Sequence, residues 1–297
     1  MSVAEEGRLA GASRVGLGMW AVIGLFFAAQ SLGEIRLVSL WLLVVLSMVW
    51  GVRTAPSRTA ACQALVAWTA LAWLFRVWNV GATYADGGLL ADTAALARLA
   101  PVDPYFPFPL SDPYAYAALH VVVPASALVV TLVDRLPMYR AYAALSVVAA
   151  LAGMLSQFGM ANQLMTTTFW TGLFLFVLTT SARVPGRAMA WLGQVVVSFV
   201  FVGPFIGKAT TEYWSNAVPD SLGLPRIPFF GLSTGQVGLV MEGVVAAAFV
   251  LGPAAASFVS VAVMAGMLLA VSPSIMDAVG PVIGLCVATQ VLRRLPG

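Results

Sequence analysis

The sequence predicts an all-α integral membrane protein, a polytopic bundle of about ten transmembrane helices with its N- and C-termini inside. Hydrophobic residues make up 61% and charged residues 9% of the 297 residues, against about a half and about a quarter in soluble proteins. The 15 basic and 12 acidic side chains are too few to cover a soluble globule of this length. The apolar residues form unbroken runs, whereas the strands of an outer-membrane barrel alternate apolar and polar residues.

Apolar runs of about 17–25 residues give the predicted helices in chain order. Their expected limits are 14–32, 35–51, 59–78, 114–133, 141–158, 163–181, 188–207, 234–251, 254–271 and 275–292. The second run and the last pair are the least distinct, so nine spans are the alternative count. Glu5 and Glu6 interrupt the basic leader of a cleavable signal peptide, so the first run is expected to be a helix of the bundle. The whole chain, 1–297, is expected to form one membrane domain.

Arginines and acidic residues fall on opposite sides of these runs. If the N-terminus is cytoplasmic, alternate loops carry five arginine pairs, and the loops between them carry most of the acids. The pairs are Arg8 with Arg14, Arg53 with Arg58, Arg135 with Arg140, Arg183 with Arg187 and Arg293 with Arg294. The positive-inside rule then predicts cytoplasmic termini in a cytoplasmic (inner) membrane. The net charge of +3 thus reports orientation in a lipid bilayer, and no nucleic-acid partner is expected.

Two long loops, about 79–113 and 208–233, are predicted on the outer face. In the first, 89–99 suits a short interfacial helix and the proline- and aromatic-rich strip 101–109 suits an extended lid. The second begins at Lys208 and carries Glu212 and Trp214. Because both loops lie on one side, a functional site is expected to open outward.

Lys208 is the only lysine, and it ends the seventh run. One interpretation is an interfacial lysine that snorkels and pairs with Glu212 four residues on. The other is a catalytic residue, because a desolvated lysine can lose its proton and an arginine cannot. Pro204, inside the same run, is expected to kink the helix just before the lysine.

Glu242 and His120 are the ionisable residues expected within the bilayer. Near the middle of the eighth run, Glu242 is either a protonated acid bonded to a neighbouring helix, or a proton relay or cation partner. Two turns into the fourth run, His120 is either a buried hydrogen-bonding residue or a second catalytic group that titrates near neutral pH.

Polar residues at the outer ends of two further runs are candidate ligand contacts. A patch that includes Asn162 opens the sixth run, and such residues serve either as glue between helices or as part of a site. Arg76, near the end of the third run, would bind an anionic head group or pair with Glu34. Trp214 and Glu212 complete the proposed ligand-binding set.

No metal or haem bound by this chain is expected. Cys62 and Cys286 are the only cysteines, each inside an apolar run, and His120 is the only histidine. A disulfide framework, a zinc site and a bis-histidine haem are therefore not expected. Twelve methionines are read as gap-fillers in packed helices. The spacing of Gly203 with Gly207, and of Gly280 with Gly284, would permit close helix contact.

The sixth and seventh runs resemble a known family. Similarity to the horizontally transferred transmembrane (HTTM) domain covers about residues 160–214 and is carried by 162–173, 184–185, 194 and 201–214. This domain is the membrane portion of vitamin K-dependent gamma-glutamyl carboxylase. In that family the matching span ends in glycine and lysine, a tryptophan follows, and the lysine is the catalytic base. Gly207, Lys208 and Trp214 fit the pattern, so the resemblance implies a catalytic lysine in an externally open site.

The chain departs from the family at two points. The family's polar motif reads Asn-His, whereas Asn162 is followed by Gln163. Nothing in the 297 residues corresponds to the large soluble domain with which the carboxylase binds its protein substrate. The end of the seventh run is also similar to DoxX-like membrane proteins, which share a glycine-to-lysine span end.

Three functions follow as hypotheses. In the first, a polar pocket near Lys208 binds or acts on a small lipophilic molecule, a lipid or a quinone-like cofactor, between apolar walls. In the second, the chain is a non-catalytic accessory or scaffold subunit that packs against other membrane protein subunits. In the third, it is a transporter that uses Glu242, although inverted repeats are not visible. The sequence leaves open whether the chain is an enzyme.

Overall fold

The computed structural model describes residues 3–30, 36–85, 113–155, 163–181, 183–209, 215, 234–270 and 276–296. Within these residues the chain is all-helical, with ten α-helices, one short 3-10 helix and no strand. The α-helices are α1 Val3–Gln30, α2 Arg36–Arg53, α3 Arg58–Ala85, α4 Pro113–Val133, α5 Leu136–Leu155, α6 Gln163–Thr180, α7 Gly186–Lys208, α8 Thr234–Ala247, α9 Pro253–Ala270 and α10 Met276–Leu292. The 3-10 helix, Ala248–Leu251, links α8 to α9.

Each predicted apolar run coincides with one helix, so the all-α class is confirmed. The helix ends that differ most from the expected limits are the start of α1 and the end of α3, where helix propensity and not hydropathy decides. The N-terminal residues are polar, but alanine, glutamate and leucine are good helix formers, so α1 begins at Val3. The third helix continues into the expected loop as far as Ala85, where Asp86-Gly87-Gly88 follows. The interfacial helix and the aromatic strip expected in that loop lie outside the described residues.

Three helices are long and apolar enough to cross a membrane: Arg58–Val77 in α3, Leu136–Met154 in α5 and Gly186–Ile206 in α7. The apolar stretches of the other seven helices are 10–17 residues long. A span needs about 20 residues, so length and composition alone support fewer spans than the expected ten.

Large apolar side chains point away from the protein on most helices. Leu25 of α1 is 70% exposed, Val121 of α4 is 67% exposed and Ile206 of α7 is 64% exposed. A soluble protein rarely exposes so much apolar surface, whereas lipid tails solvate it well. This surface and the three long helices point to membrane association.

The described residues fall into two compact units. Unit 1 comprises Met1–Ala28, Cys62–Ala182 and Met276–Gly284, and unit 2 comprises Ala29–Ala61, Arg183–Ile275 and Leu285–Gly297. The division passes through α1, α3 and α10, which contribute to both units.

Unit 1 is built around α5 and α6, which pack antiparallel along their length. A Cβ added at Gly172 of α6 would lie 3.0 Å from Val147 Cγ2, and the guanidinium of Arg140 donates to the Thr179 carbonyl at 2.9 Å. A two-residue turn joins α4 to α5, and its Asp134 has a φ of 50°, which aspartate tolerates better than most residues.

The glycine pair of α10 packs on α3 in the same unit. A Cβ at Gly280 would lie 2.9 Å from Ala72 Cβ, and one at Gly284 would lie 2.6 Å from Trp68 Cβ. The close contact that this spacing permits is therefore made. For the other pair, nothing described lies within 4 Å of a Cβ at Gly203, so that spacing serves no contact within the described residues.

Unit 2 contains α2, α7, α8 and α9 with the C-terminal half of α10. Gly243 of α8 admits the ring of Phe205 of α7, because a Cβ there would lie 2.9 Å from Cε2 of that ring. Gly51 of α2 lies against Val287 of α10, and Gly186 at the start of α7 lies against Leu292. Small residues thus let these helices approach closely.

Candidate functional site

Three residues of unit 1, Trp73, His120 and Thr168, form a buried group that we call the His120 cluster. The side chains of α3, α4 and α6 meet here. The Trp73 indole donates to Thr168 Oγ1 at 3.1 Å, and its ring lies edge-on to the imidazole of His120 with the ring centroids 4.9 Å apart. Trp73 and Thr168 are fully buried, and His120 is 5% exposed.

A proline interrupts the backbone hydrogen bonding of α4 at His120. Pro124 lies inside this helix and lacks the N–H that would bond the carbonyl of His120, four residues earlier. On α3, Arg76 follows Trp73 by three residues and is half-buried. Trp73 brings His120 together with Thr168 at the start of α6, and the sequence analysis did not single out this tryptophan.

A second polar group of unit 1, the Asp134 turn, comprises Gln63, Asp134 and Tyr139. Asp134 Oδ1 accepts from Gln63 Nε2 at 3.0 Å and from the Tyr139 hydroxyl at 2.7 Å. Tyr139 is fully buried and Gln63 is 4% exposed. Asp134 could have been identified from the sequence, because it is the one acidic residue in the loops that join arginine-flanked helix ends.

The face of α5 that carries Tyr139 continues with two more buried hydroxyls. Tyr142 is 2% exposed and Ser146 is 1% exposed, and spacings of three and four residues place them on the same face. Within the described part of the chain, the Tyr142 hydroxyl and Ser146 Oγ have no hydrogen-bond partner beyond each other. Tyr139, Tyr142 and Ser146 thus form a polar line along one buried face of α5.

Unit 2 has its own buried polar group between α7 and α9. Gln194 of α7 is fully buried; its amide donates to Ser260 Oγ at 3.3 Å and accepts from Ser257 Oγ at 3.3 Å. One turn further along α7, Ser198 Oγ donates to the Val245 carbonyl of α8 at 3.3 Å. Such bonds fix the helices of a membrane protein laterally.

Glu242 lies three residues before Val245 on α8 and is 7% exposed. The predicted buried acid is therefore buried, in the same unit as Gln194 and Ser198.

Arginines do more than mark orientation, because two of them bind carbonyls in the last turns of neighbouring helices. In unit 2, Arg294 donates to the Gly51 carbonyl of α2 at 2.8 Å. In unit 1, Arg140 donates to the Thr179 carbonyl in the last turn of α6. Such carbonyls lack intrahelical partners, and a cation suits the negative end of a helix. Arg58 donates instead to the Val184 carbonyl, in the segment between α6 and α7. Burial, and then the charge of Arg293, lower the pKa of Arg294.

A groove of about 450 Å³ runs between α2 and α9 in unit 2. Its walls are apolar and include Trp41, Met48 and Val49 of α2 and Phe258, Val261 and Ala262 of α9. Arg53, the last residue of α2, lies at one end, and its side chain is exposed. We call this feature the α2–α9 groove.

The predicted site residues divide between the two units. His120 and Arg76 belong to unit 1, and Glu242 and Lys208 belong to unit 2. The seventh helix runs through Pro204 and ends at Lys208 as predicted, but the lysine side chain is not among those described. Asn162, Glu212 and Trp214 lie outside the described residues.

Cys62 and Cys286 are buried and form no disulfide. Among the described residues there is no group of three or more His, Cys, Asp or Glu side chains that could hold a metal ion.

Comparison with known proteins finds no family model, no curated protein and no solved structure that matches this chain.

Proposed function

We propose that this chain is a multi-pass protein of the cytoplasmic membrane that binds an anionic phospholipid in the α2–α9 groove. In this proposal all ten helices cross the bilayer, with both termini and the arginine pairs on the cytoplasmic side. The shorter apolar helices would be accommodated by local thinning of the bilayer and by snorkelling of their flanking arginines.

The length of the groove supports this ligand. Trp41 and Arg53 are twelve residues apart on α2, which is about 18 Å along a helix. One leaflet of the hydrocarbon core is about 15 Å thick, half of the full ~30 Å. A lipid with its phosphate at Arg53 would therefore extend its acyl chain past Val49 as far as the Trp41 ring.

Charge supports an anionic head group. The Arg53 guanidinium is exposed at one end of the groove, where it can donate two parallel hydrogen bonds to phosphate oxygens. Under the proposed orientation it faces the leaflet in which anionic lipids concentrate, and each basic residue there contributes about 1 kcal/mol of attraction. This combination of an apolar groove and a terminal cation is the observation that carries the proposal.

The other hypotheses from the sequence remain distinct proposals. In one, a small lipophilic molecule, quinone-like or a lipid, binds or reacts at an outward-opening pocket at Lys208, where the HTTM resemblance implies a catalytic lysine. In another, the chain is an accessory subunit, and a helix of a partner membrane protein fills the groove. In a third hypothesis, the chain is a transporter that uses Glu242.

Native mass spectrometry of the gently purified protein tests the proposal. We expect bound anionic phospholipid on the wild-type chain and its loss in Ala262→Trp, where an indole on the exposed groove wall occupies the acyl-chain path. Ala144→Trp, at an exposed alanine of α5 in unit 1, is the matched control and should retain the lipid. In Arg53→Gln the preference for anionic over zwitterionic lipid should disappear, whereas Arg135→Gln should keep it.

Two results would contradict lipid binding. One is equal lipid content in Ala262→Trp and Ala144→Trp. The other is a polypeptide, released by Ala262→Trp, in place of lipid, which would favour the accessory-subunit hypothesis.

A further inference from the structure

We propose that the lipid in the α2–α9 groove carries two phosphates joined through a glycerol, as cardiolipin does, and that Arg53 binds one phosphate while Arg293 and Arg294 bind the other. The proposal rests on lipid binding in this groove and adds the class of lipid. It follows from the C-terminal end of α10, which lies at the same end of the groove as Arg53. We call this end of the groove the groove mouth.

One face of α10 contacts both helices that form the groove. A Cβ added at Gly51 of α2 would lie 2.9 Å from Val287 Cγ1, and Gln290 Nε2 donates to the Ala254 carbonyl of α9 at 2.9 Å. Val287, Gln290 and Arg294 follow one another at spacings of three and four residues, so they share this face. The last two turns of α10 therefore lie between α2 and α9 at the groove mouth.

The fold holds the two arginines at the end of α10 in place. Arg294 Nη2 donates to the Gly51 carbonyl at 2.8 Å, and its Nε donates to the Gln290 carbonyl at 3.1 Å. Arg293 Nε donates to Gln290 Oε1 at 2.7 Å. These bonds leave terminal N–H groups of both side chains for phosphate oxygens. Since Gly51 is two residues before Arg53 on α2, three guanidinium groups converge on the groove mouth.

The groove mouth carries an excess of positive charge. Within the described residues of unit 2 the only acidic side chain is Glu242 of α8, a helix that does not line the groove. Burial, and second the charge of Arg293, lower the pKa of Arg294, and a bound phosphate would offset the repulsion between the two cations. The helix α9 begins at Pro253 and adds the positive end of its dipole. Two phosphates balance this charge more closely than one.

The end of α2 separates the two phosphate positions. Arg53 belongs to the groove wall, whereas the Gly51 carbonyl binds Arg294 on the side of α2 that faces α10. A helix with its side chains is about 10–12 Å wide, and a phosphate oxygen lies about 3 Å from the N–H donor that it accepts from. A single phosphate is too small to contact both sides at once. Two phosphates separated by a glycerol span this distance better than a diphosphate, whose phosphorus atoms share one oxygen.

The surface beside the groove has room for the additional acyl chains of such a lipid. Leu42 and Leu46 directly follow the groove residues Trp41 and Val45 on α2, and they are 55% and 50% exposed. One acyl chain lies in the groove, and a second lies against this apolar surface, which lipid tails solvate well. A lipid with more chains than the groove holds is therefore accommodated.

Competition between two lipids with the same acyl chains tests the proposal. The delipidated full-length protein is titrated in detergent with tetraoleoyl cardiolipin and dioleoyl phosphatidylglycerol at equal phosphate concentration, and bound lipid is counted by native mass spectrometry. We expect cardiolipin to bind about tenfold more tightly, because one additional charge-assisted contact contributes about this factor. Arg293→Gln should bind cardiolipin several-fold more weakly and phosphatidylglycerol as before, since glutamine can still bond to Gln290 but carries no charge. Arg135→Gln, at an exposed arginine of unit 1, is the matched control and should keep the full preference.

A measurement on the wild-type protein needs no variant to fold. A ligand that binds only the folded state raises the thermal midpoint, and the rise grows with its affinity. At equal phosphate concentration, cardiolipin should therefore raise the midpoint of the wild-type protein more than phosphatidylglycerol does. Equal midpoints with the two lipids would contradict the proposal.

The outcomes separate the class of lipid from lipid binding itself. Equal affinity of the wild type for the two lipids, or an unchanged cardiolipin preference in Arg293→Gln, would overturn the two-phosphate head group and leave lipid binding intact. Tighter binding of a prenyl diphosphate than of cardiolipin would overturn the glycerol-linked head group. Equal content of both lipids in Ala262→Trp and Ala144→Trp would instead show that the groove is not the lipid site, and both proposals would then fail.

Discussion

The contact of Gly284 with α3 allows a quantitative prediction. In Gly284→Ala the new Cβ would lie 2.6 Å from Trp68 Cβ and 3.2 Å from the Ala64 carbonyl oxygen. Carbon atoms pack at about 3.5–4.0 Å, so the overlap with Trp68 is about 0.9 Å or more. Cβ of Trp68 is attached to its backbone, and Trp68 is 4% exposed, so α3 and α10 must separate.

Overpacking of this kind costs about 1–3 kcal/mol, and the better helix propensity of alanine returns at most about 1 kcal/mol. We therefore expect a net loss of about 1–2 kcal/mol in the free energy of unfolding. The thermal midpoint of the detergent-solubilised protein should fall by about 2–8 °C. Gly24→Ala is the matched control: within the described residues nothing lies within 4 Å of a Cβ there, so only the gain in helix propensity remains and the midpoint should stay the same or rise. Equal midpoints for the two variants would refute the close contact.

Two predictions concern the candidate site residues of unit 2. Glu242→Gln should melt like the wild type, because the amide can still hydrogen-bond. Glu242→Leu should lower the free energy of unfolding by about 1–3 kcal/mol, since the groups that bond to Glu242 lose their acceptor. A leucine variant that melts like the wild type would argue against a structural hydrogen bond. If Lys208 lies in a site, Lys208→Arg should lose the extractable lipophile measured by mass spectrometry, because arginine cannot supply a neutral amine. Full lipophile content in that variant would support the snorkelling interpretation.

Helix positions could be predicted from the sequence because hydropathy reports them directly. The fourth run was expected at 114–133, and α4 spans Pro113–Val133. Ends are less predictable where polar residues with good helix propensity adjoin the run, as at the start of α1. Apolar run length also does not establish a span, since only three of the described helices meet the length and composition that crossing needs.

Lateral contacts between helices could not be predicted, because the pattern along one helix carries little information about its neighbours. Gly203 and Gly280 each begin a Gly-x-x-x-Gly spacing. Of these two glycines, only Gly280 is so close to another helix that an added Cβ would meet a side chain within the described residues. His120 could be selected as a rare ionisable residue, but its neighbour Trp73 looked like any aromatic residue of an apolar helix. Asp134 could have been found as an acid among arginines, and its bond to Gln63 could not.

Orientation in the membrane is the central claim, because the leaflet that the α2–α9 groove faces and the outward opening of a Lys208 pocket depend on it. Single cysteines at Ala55, Ser111 and Ser221 report it directly with an impermeant thiol reagent in intact cells. Ala55 is exposed, and replacing it spares Ser57, whose Oγ accepts from the Ala60 amide at the start of α3 at 3.0 Å. The native Cys62 and Cys286 are buried, so the background should be low. We expect labelling at Ser111 and Ser221 and none at Ala55 until the cells are opened; the reverse pattern would contradict the proposed topology.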